Sequence, residues 1–109
     1  RYYLNRLYYK PGGPVFFLFS GESEMKTGGR QMDDMMSNAK RHNAMVFTME
    51  HRYYGQSVPI ANAERVENMR YLDARQALAD TAEFIRYVNV QHFYLQEPPK
   101  WIVFGGSYS

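Results

Sequence analysis

The 109 residues contain no cysteine, which removes disulfides and thiolate metal sites from this stretch. The three histidines, His42, His51 and His92, do not compensate, because their spacing is not that of metal ligands. Charge of one sign is also scarce in excess. Thirteen basic residues against eleven acidic leave a formal net charge of +2, and the basic residues are scattered. That pattern gives no footing for nucleic acid or for an anionic membrane surface. No apolar run approaches the roughly 20 residues of a transmembrane helix. Neither G-x-G-x-x-G nor G-x-x-x-x-G-K-[ST] occurs, so a glycine-rich phosphate loop has no support. The chain has no N-x-[ST] sequon, does not begin with methionine, and opens without a targeting segment. It reads as a piece of a longer protein.

What is present is globular in composition, with 45% apolar and 17% aromatic residues. Residues 1–9 suit an edge hairpin closed by the turn Pro11-Gly12-Gly13-Pro14. VFFLFS, Val15 to Ser20, is continuous rather than alternating, as expected of a strand covered on both faces. From Arg30 the period changes. Met32, Met35, Met36 and Ala39 fall on one helical face, with Asp33 and Asp34 early and Lys40 and Arg41 late, as the helix dipole favours. AMVFTM, Ala44 to Met49, is the next strand, so a β-α-β unit with parallel strands is expected. A longer helix follows from about Ala74, with Asp73 as N-cap and Gln76 at the capping-box position. Its expected apolar stripe is Ala74, Ala77, Leu78, Thr81, Ala82, Ile85 and Val88. Pro98 and Pro99 end the helical region, and Trp101 to Phe104 make a third strand of the series. The β-α-β-α-β order predicts an α/β fold with a mostly parallel sheet.

In such sheets function collects at the carboxyl ends of the strands. Gly105-Gly106-Ser107-Tyr108-Ser109 stands at such an end, and it fills the nucleophile-elbow template G-x-S-x-G except for serine in place of the last glycine. An ordinary Gly-Gly-Ser turn is the competing reading. If the elbow is real, Ser107 is the nucleophile and the Tyr108 amide is the first oxyanion donor. The second donor comes from the loop after an earlier strand, where Gly21-Glu22-Ser23 follows VFFLFS.

Four segments, PGGPVFFLFSGE, EHRYYGQSVP, MRYLDARQALADTAEFI and WIVFGGSYS, together resemble the prolyl-carboxypeptidase, dipeptidyl-peptidase-II and thymus-specific serine protease family of serine peptidases. That resemblance implies an α/β-hydrolase core with a separate helical cap. It also implies a lysosomal or secreted exopeptidase that cleaves peptides beside proline and needs no cofactor. Ser107 is the position that matches the family nucleophile, and the triad Asp and His are expected after residue 109. Residues 1–109 would then be an incomplete core cut at the elbow, unable to hydrolyse anything alone. Carboxypeptidase and dipeptidyl peptidase both stay open, as does a homodimer of the longer protein. A non-catalytic binding protein on the same fold is the alternative.

Other residues invite functional readings. His51 precedes the nucleophile, the wrong order for the catalytic histidine of this fold, so holding the loop after AMVFTM in shape is its expected role. His42 and His92 are expected to be solvated. Glu50 and Arg52 either pair with each other or stand in solvent. Glu22 either meets the free amine of a peptide or is simply exposed. Asp80 is expected to be solvated or a capping partner, and Tyr53 and Tyr54 to be packing aromatics.

Overall fold

The computed structural model describes residues 1–94 and 97–109. Four strands form one sheet: β1 (Tyr2–Asn5), β2 (Val15–Phe19), β3 (Met45–Met49) and β4 (Trp101–Phe104). Helices α1 (Arg30–His42) and α2 (Ala74–Phe93) lie between them, with a short 3₁₀ helix at Val66–Tyr71. The order across the sheet is β1-β3-β2-β4. β2 runs parallel to both β3 and β4, and the β-α-β reading of the sequence holds.

All five residues of β2 and of β3 are buried, as a continuous apolar run in the middle of a two-sided sheet requires. Successive side chains point to opposite faces, and the contacts divide accordingly. Phe16, Leu18 and Val46 pack with Met32, Met35 and Ala39 of α1. Val15, Phe17, Phe19 and Phe47 pack with Ala77, Phe84 and Val88 of α2. Phe84 centres that second cluster, its ring 5.3 Å from Phe17, 5.6 Å from Phe47 and 5.2 Å from Tyr2. Burying such a ring stabilises the fold by about 1.5–3 kcal/mol.

The α1 face matches its expected residues, and Asn43 ends the helix in the left-handed conformation, at φ 54. In α2 the expected stripe holds in part: Ala77 and Val88 are buried and Thr81 and Ile85 half-buried, but the face is shifted toward Phe84 and Phe93. Leu78 is 65% exposed, and Ala74 and Ala82 are exposed. The alanine-rich side marked a plausible stripe, but Phe84 and Phe93 join Ala77 and Val88 in the cluster against β2 and β3. Asp73 does cap α2, accepting from the amides of Arg75 and Gln76. Gln76 does not close the capping box, because its side-chain oxygen instead accepts from Arg52.

The expected hairpin of residues 1–9 is corrected as well. β1 is an edge strand and antiparallel, but its partner is β3, which lies between β1 and β2. The Pro11–Pro14 segment therefore carries the chain past β3. Gly13 is needed there because a Cβ would stand 2.0 Å from the Asn43 carbonyl oxygen.

The registers set the site. Leu18 pairs with Phe104 and Phe19 with Met49, so the chain leaves β2, β3 and β4 at the same edge of the sheet. Three loops meet there: the one after Phe19, the EHRYYG loop, and the turn at Gly105.

Candidate active site

Ser107 follows β4 in a tight turn and has a φ of 60, a conformation that costs a non-glycine residue backbone strain. Only glycine fits two residues earlier, since a Cβ on Gly105 would meet the Ser109 carbonyl oxygen at 2.3 Å. Ser109 closes the turn. Its hydroxyl accepts from the Gly106 amide at 3.1 Å and donates to the Gly106 carbonyl at 2.9 Å. The Ser107 side chain is exposed. Ser107 thus stands strained after a parallel strand, in a turn where Gly105 has no room for a Cβ.

The loop after β2 comes against this turn. A Cβ on Gly21 would lie 3.9 Å from the Ser109 hydroxyl oxygen. Glu22 is exposed on the bend that follows, where the Ser23 amide donates to the Gly21 carbonyl at 2.8 Å. Tyr108 is 45% exposed, and its ring meets His51 edge-on with centroids 5.4 Å apart.

The EHRYYG loop forms the floor, and its letters can be read physically. Glu50 is buried, and its carboxylate accepts from the amides of Met25 and Gln56, each at 3.0 Å, and from the Ser57 hydroxyl at 2.8 Å. Arg1 lies 3.2 Å away. Burial pushes this carboxyl up, but the Met25 amide, the Ser57 hydroxyl, the Gln56 amide and the Arg1 guanidinium together hold it below the ordinary glutamate value. Gly55 is at φ 54, and a Cβ there would stand 2.0 Å from the Glu50 carboxylate.

His51 is 0% exposed. Its Nδ1 lies 2.7 Å from the Arg52 carbonyl, so that nitrogen carries the proton and donates, leaving Nε2 as a bare acceptor with no partner among the described residues. The rings of Phe19, Tyr54 and Tyr108 surround it, each at 5.4 Å. A loop-shaping histidine is what the structure holds here.

Glu50 and Arg52 neither pair with each other nor stand in solvent. Arg52 instead makes a two-pronged pair with Asp80 of α2, with Nε and Nη2 each 2.7 Å from a carboxylate oxygen. Its Nη1 donates to the Tyr71 carbonyl at 3.0 Å and to Gln76. Asp80 is therefore the partner of Arg52, while its side chain stays partly exposed. Tyr53, at φ 73, donates its hydroxyl to the Asn68 carbonyl.

His92 also departs from expectation. It is half-buried against Phe47, and its Nδ1 accepts from Arg6 at 2.7 Å. Burial, followed by the Arg6 charge, lowers its pKa. The sequence reading missed Thr48, whose hydroxyl is buried without a partner among the described residues. The available signal was a lone polar residue inside AMVFTM.

A mixed four-stranded sheet with helices on both faces makes this an α/β protein, with a serine of positive φ in the turn after β4. Comparison with known proteins makes the assignment specific. The family model described as serine carboxypeptidase S28 matches residues 1–109, and the chain belongs to that family. A Caenorhabditis elegans relative named as a serine protease, K12H4.7, is 37% identical over 114 residues, covering 100% of this chain and 21% of its own length. An Arthroderma benhamiae relative named as an extracellular serine carboxypeptidase is 36% identical over 115 residues, covering 100% of this chain and 16% of its own. Prolyl carboxy peptidase like protein 5 of C. elegans is 33% identical over 110 residues, covering 99% and 22%. The chain thus spans about a fifth of the length of these relatives.

Proposed function

We propose that this chain is the nucleophile-bearing part of a serine exopeptidase that cleaves peptides beside proline. Ser107 at φ 60, at the end of a parallel strand in an S28-family chain, is the observation that carries the reading. In this mechanism the Ser107 hydroxyl attacks the peptide carbonyl and a histidine takes its proton. The tetrahedral oxyanion is met by the Tyr108 amide and by an amide of the loop carrying Gly21 and Glu22. His51 is unsuited to be the base, because it is fully enclosed by the rings of Phe19, Tyr54 and Tyr108. The base and its aspartate partner are expected outside these 109 residues, in an α/β-hydrolase core completed by further strands and a helical cap. The proline preference draws support from the family resemblance and from the name of the prolyl carboxypeptidase-like relative. A secreted or lysosomal location is proposed on the same resemblance, and one relative is named as extracellular.

Labelling the longer protein with a fluorophosphonate probe and mapping the modified peptide tests the reading. Label on Ser107, together with loss of Xaa-Pro-Xaa cleavage in Ser107→Ala by at least about a thousandfold, is expected. Folded protein that takes no label between about pH 4 and 8, or a Ser107→Ala variant that cleaves at the wild-type rate, would transfer the assignment to a non-catalytic binding protein.

A further inference from the structure

His51 takes no part in the proton transfers of the reaction, yet it is fully enclosed at the foot of the Ser107 turn. Its Nε2 is buried without a partner among the described residues, whereas buried polar atoms are ordinarily paired. A phenyl ring would fill the space among Phe19, Tyr54 and Tyr108 and leave no nitrogen unpaired. What the imidazole adds is Nδ1, 2.7 Å from the Arg52 carbonyl, which ties the ring to its own loop.

That loop is anchored on both sides of His51. Glu50 before it is held by the Met25 and Gln56 amides and the Ser57 hydroxyl, and Arg52 after it is held by Asp80 of α2. The ring is therefore a fixed post against which softer segments can rest. Two of its three aromatic neighbours belong to such segments. Phe19 ends β2 and leads into Ser20-Gly21-Glu22, where the Ser20 amide donates to the Met49 carbonyl at 3.0 Å. Tyr108 follows Ser107 in the strained turn, 45% exposed, with its ring edge-on to His51 at 5.4 Å.

We propose that His51 is a positioning residue for the oxyanion hole, a deepening of the peptidase reading on which it rests. Both donors of that reading, the Tyr108 amide and an amide of the loop carrying Gly21, extend from residues whose rings touch His51. One anchored ring thus sets the spacing between two amides that must converge on a single oxygen. Such donors act only when held in place before the charge develops, and a displacement of about 1 Å can cost a hundredfold in rate. The work is done by the ring, through Tyr108 and Phe19, while the Nδ1 bond serves the stability of the loop.

The test separates ring from hydrogen bond in the longer protein. Three quantities are read: the rate at which the Ser107 oxygen displaces fluoride from a fluorophosphonate probe, kcat and KM for an Xaa-Pro-Xaa peptide, and the melting temperature. His51→Asn keeps a donor near the Nδ1 position and loses the ring. It should slow labelling and kcat by at least about tenfold with KM nearly unchanged. His51→Phe keeps the ring and loses the donor, so it should melt lower yet label and turn over within about threefold of wild type. Tyr108→Ala truncates the other partner from its exposed side, where the fold is not threatened, and should slow labelling as His51→Asn does. The double variant should be no slower than either alone. If His51→Asn does not fold, Tyr108→Ala decides. Wild-type labelling in Tyr108→Ala or in folded His51→Asn, or a His51→Phe variant as slow as His51→Asn, would overturn the positioning role while leaving Ser107 as the nucleophile. Wild-type protein that takes no label on Ser107 would remove the peptidase reading itself, and this role with it.

Discussion

Glu50 and His92 are the two described residues whose titration bears most directly on acid stability, and both act in the same direction. Glu50 is held below its ordinary value of 4.5, so the stability it contributes is present above that value and is lost as pH falls through its folded pKa. His92 is held below its ordinary value of 6.5. The unfolded chain then takes up that proton first, and stability falls as pH drops from 6.5 toward the folded value. The melting temperature should therefore decline in two stages between neutral and strongly acid pH. His92→Gln should flatten the upper stage, because glutamine has no charge to gain. Glu50→Gln should lower stability by about 2–3 kcal/mol at pH 7 and flatten the lower stage, because a buried acceptor set loses its charge. Thermal melts across pH check both outcomes, and a profile of wild-type shape in either variant would refute its half. Residue roles of this kind were only partly legible in sequence. Ser107 and the N-cap Asp73 announce themselves by local pattern. The fate of Glu50 depends on Met25 and Arg1, far away in the chain, and no local pattern encodes such a meeting.

Elements read more reliably than their faces. The β2-α1-β3 unit, the α2 start and β4 follow from period and punctuation, because each is decided within a few residues. The face of α2 is decided by which side chains fill the space above β2 and β3, and that space exists only once the sheet has assembled. The hairpin expectation failed for a similar reason: β3 is the partner that β1 finds, and it comes more than forty residues later. At this scale the Arg52 to Asp80 pair is the joint between the EHRYYG loop and α2. Replacing Arg52 with methionine should cost about 1–2 kcal/mol, discounted because Asp80 is partly exposed, and it leaves the Tyr71 carbonyl and Gln76 without their donor. Asp80→Asn, which keeps one acceptor, should cost less. If the two variants unfold at the same denaturant concentration as the parent protein, the joint contributes nothing.

For the molecule as a whole, the sheet brings together segments that are remote in sequence. EHRYYG and the QALAD helix, the most distinctive stretches, are bonded to each other through Arg52 and Asp80, while His51 at the core of the loop touches Tyr108 beside the candidate nucleophile. A family pattern spread over the chain thus corresponds to one connected structure behind one edge of the sheet. β4 has a different standing from β2 and β3, with Ile102 and Val103 45% and 53% exposed. The enclosure of β2 and β3 carries a consequence for time rather than geometry. Their amides are shut between two helix layers and two flanking strands, so they open to solvent only when the sheet as a whole comes apart. Hydrogen–deuterium exchange should be slowest at Phe16–Leu18 and Val46–Thr48 and orders of magnitude faster at Gly105–Ser109, so that the strained turn can be remade many times during the lifetime of the strands beneath it.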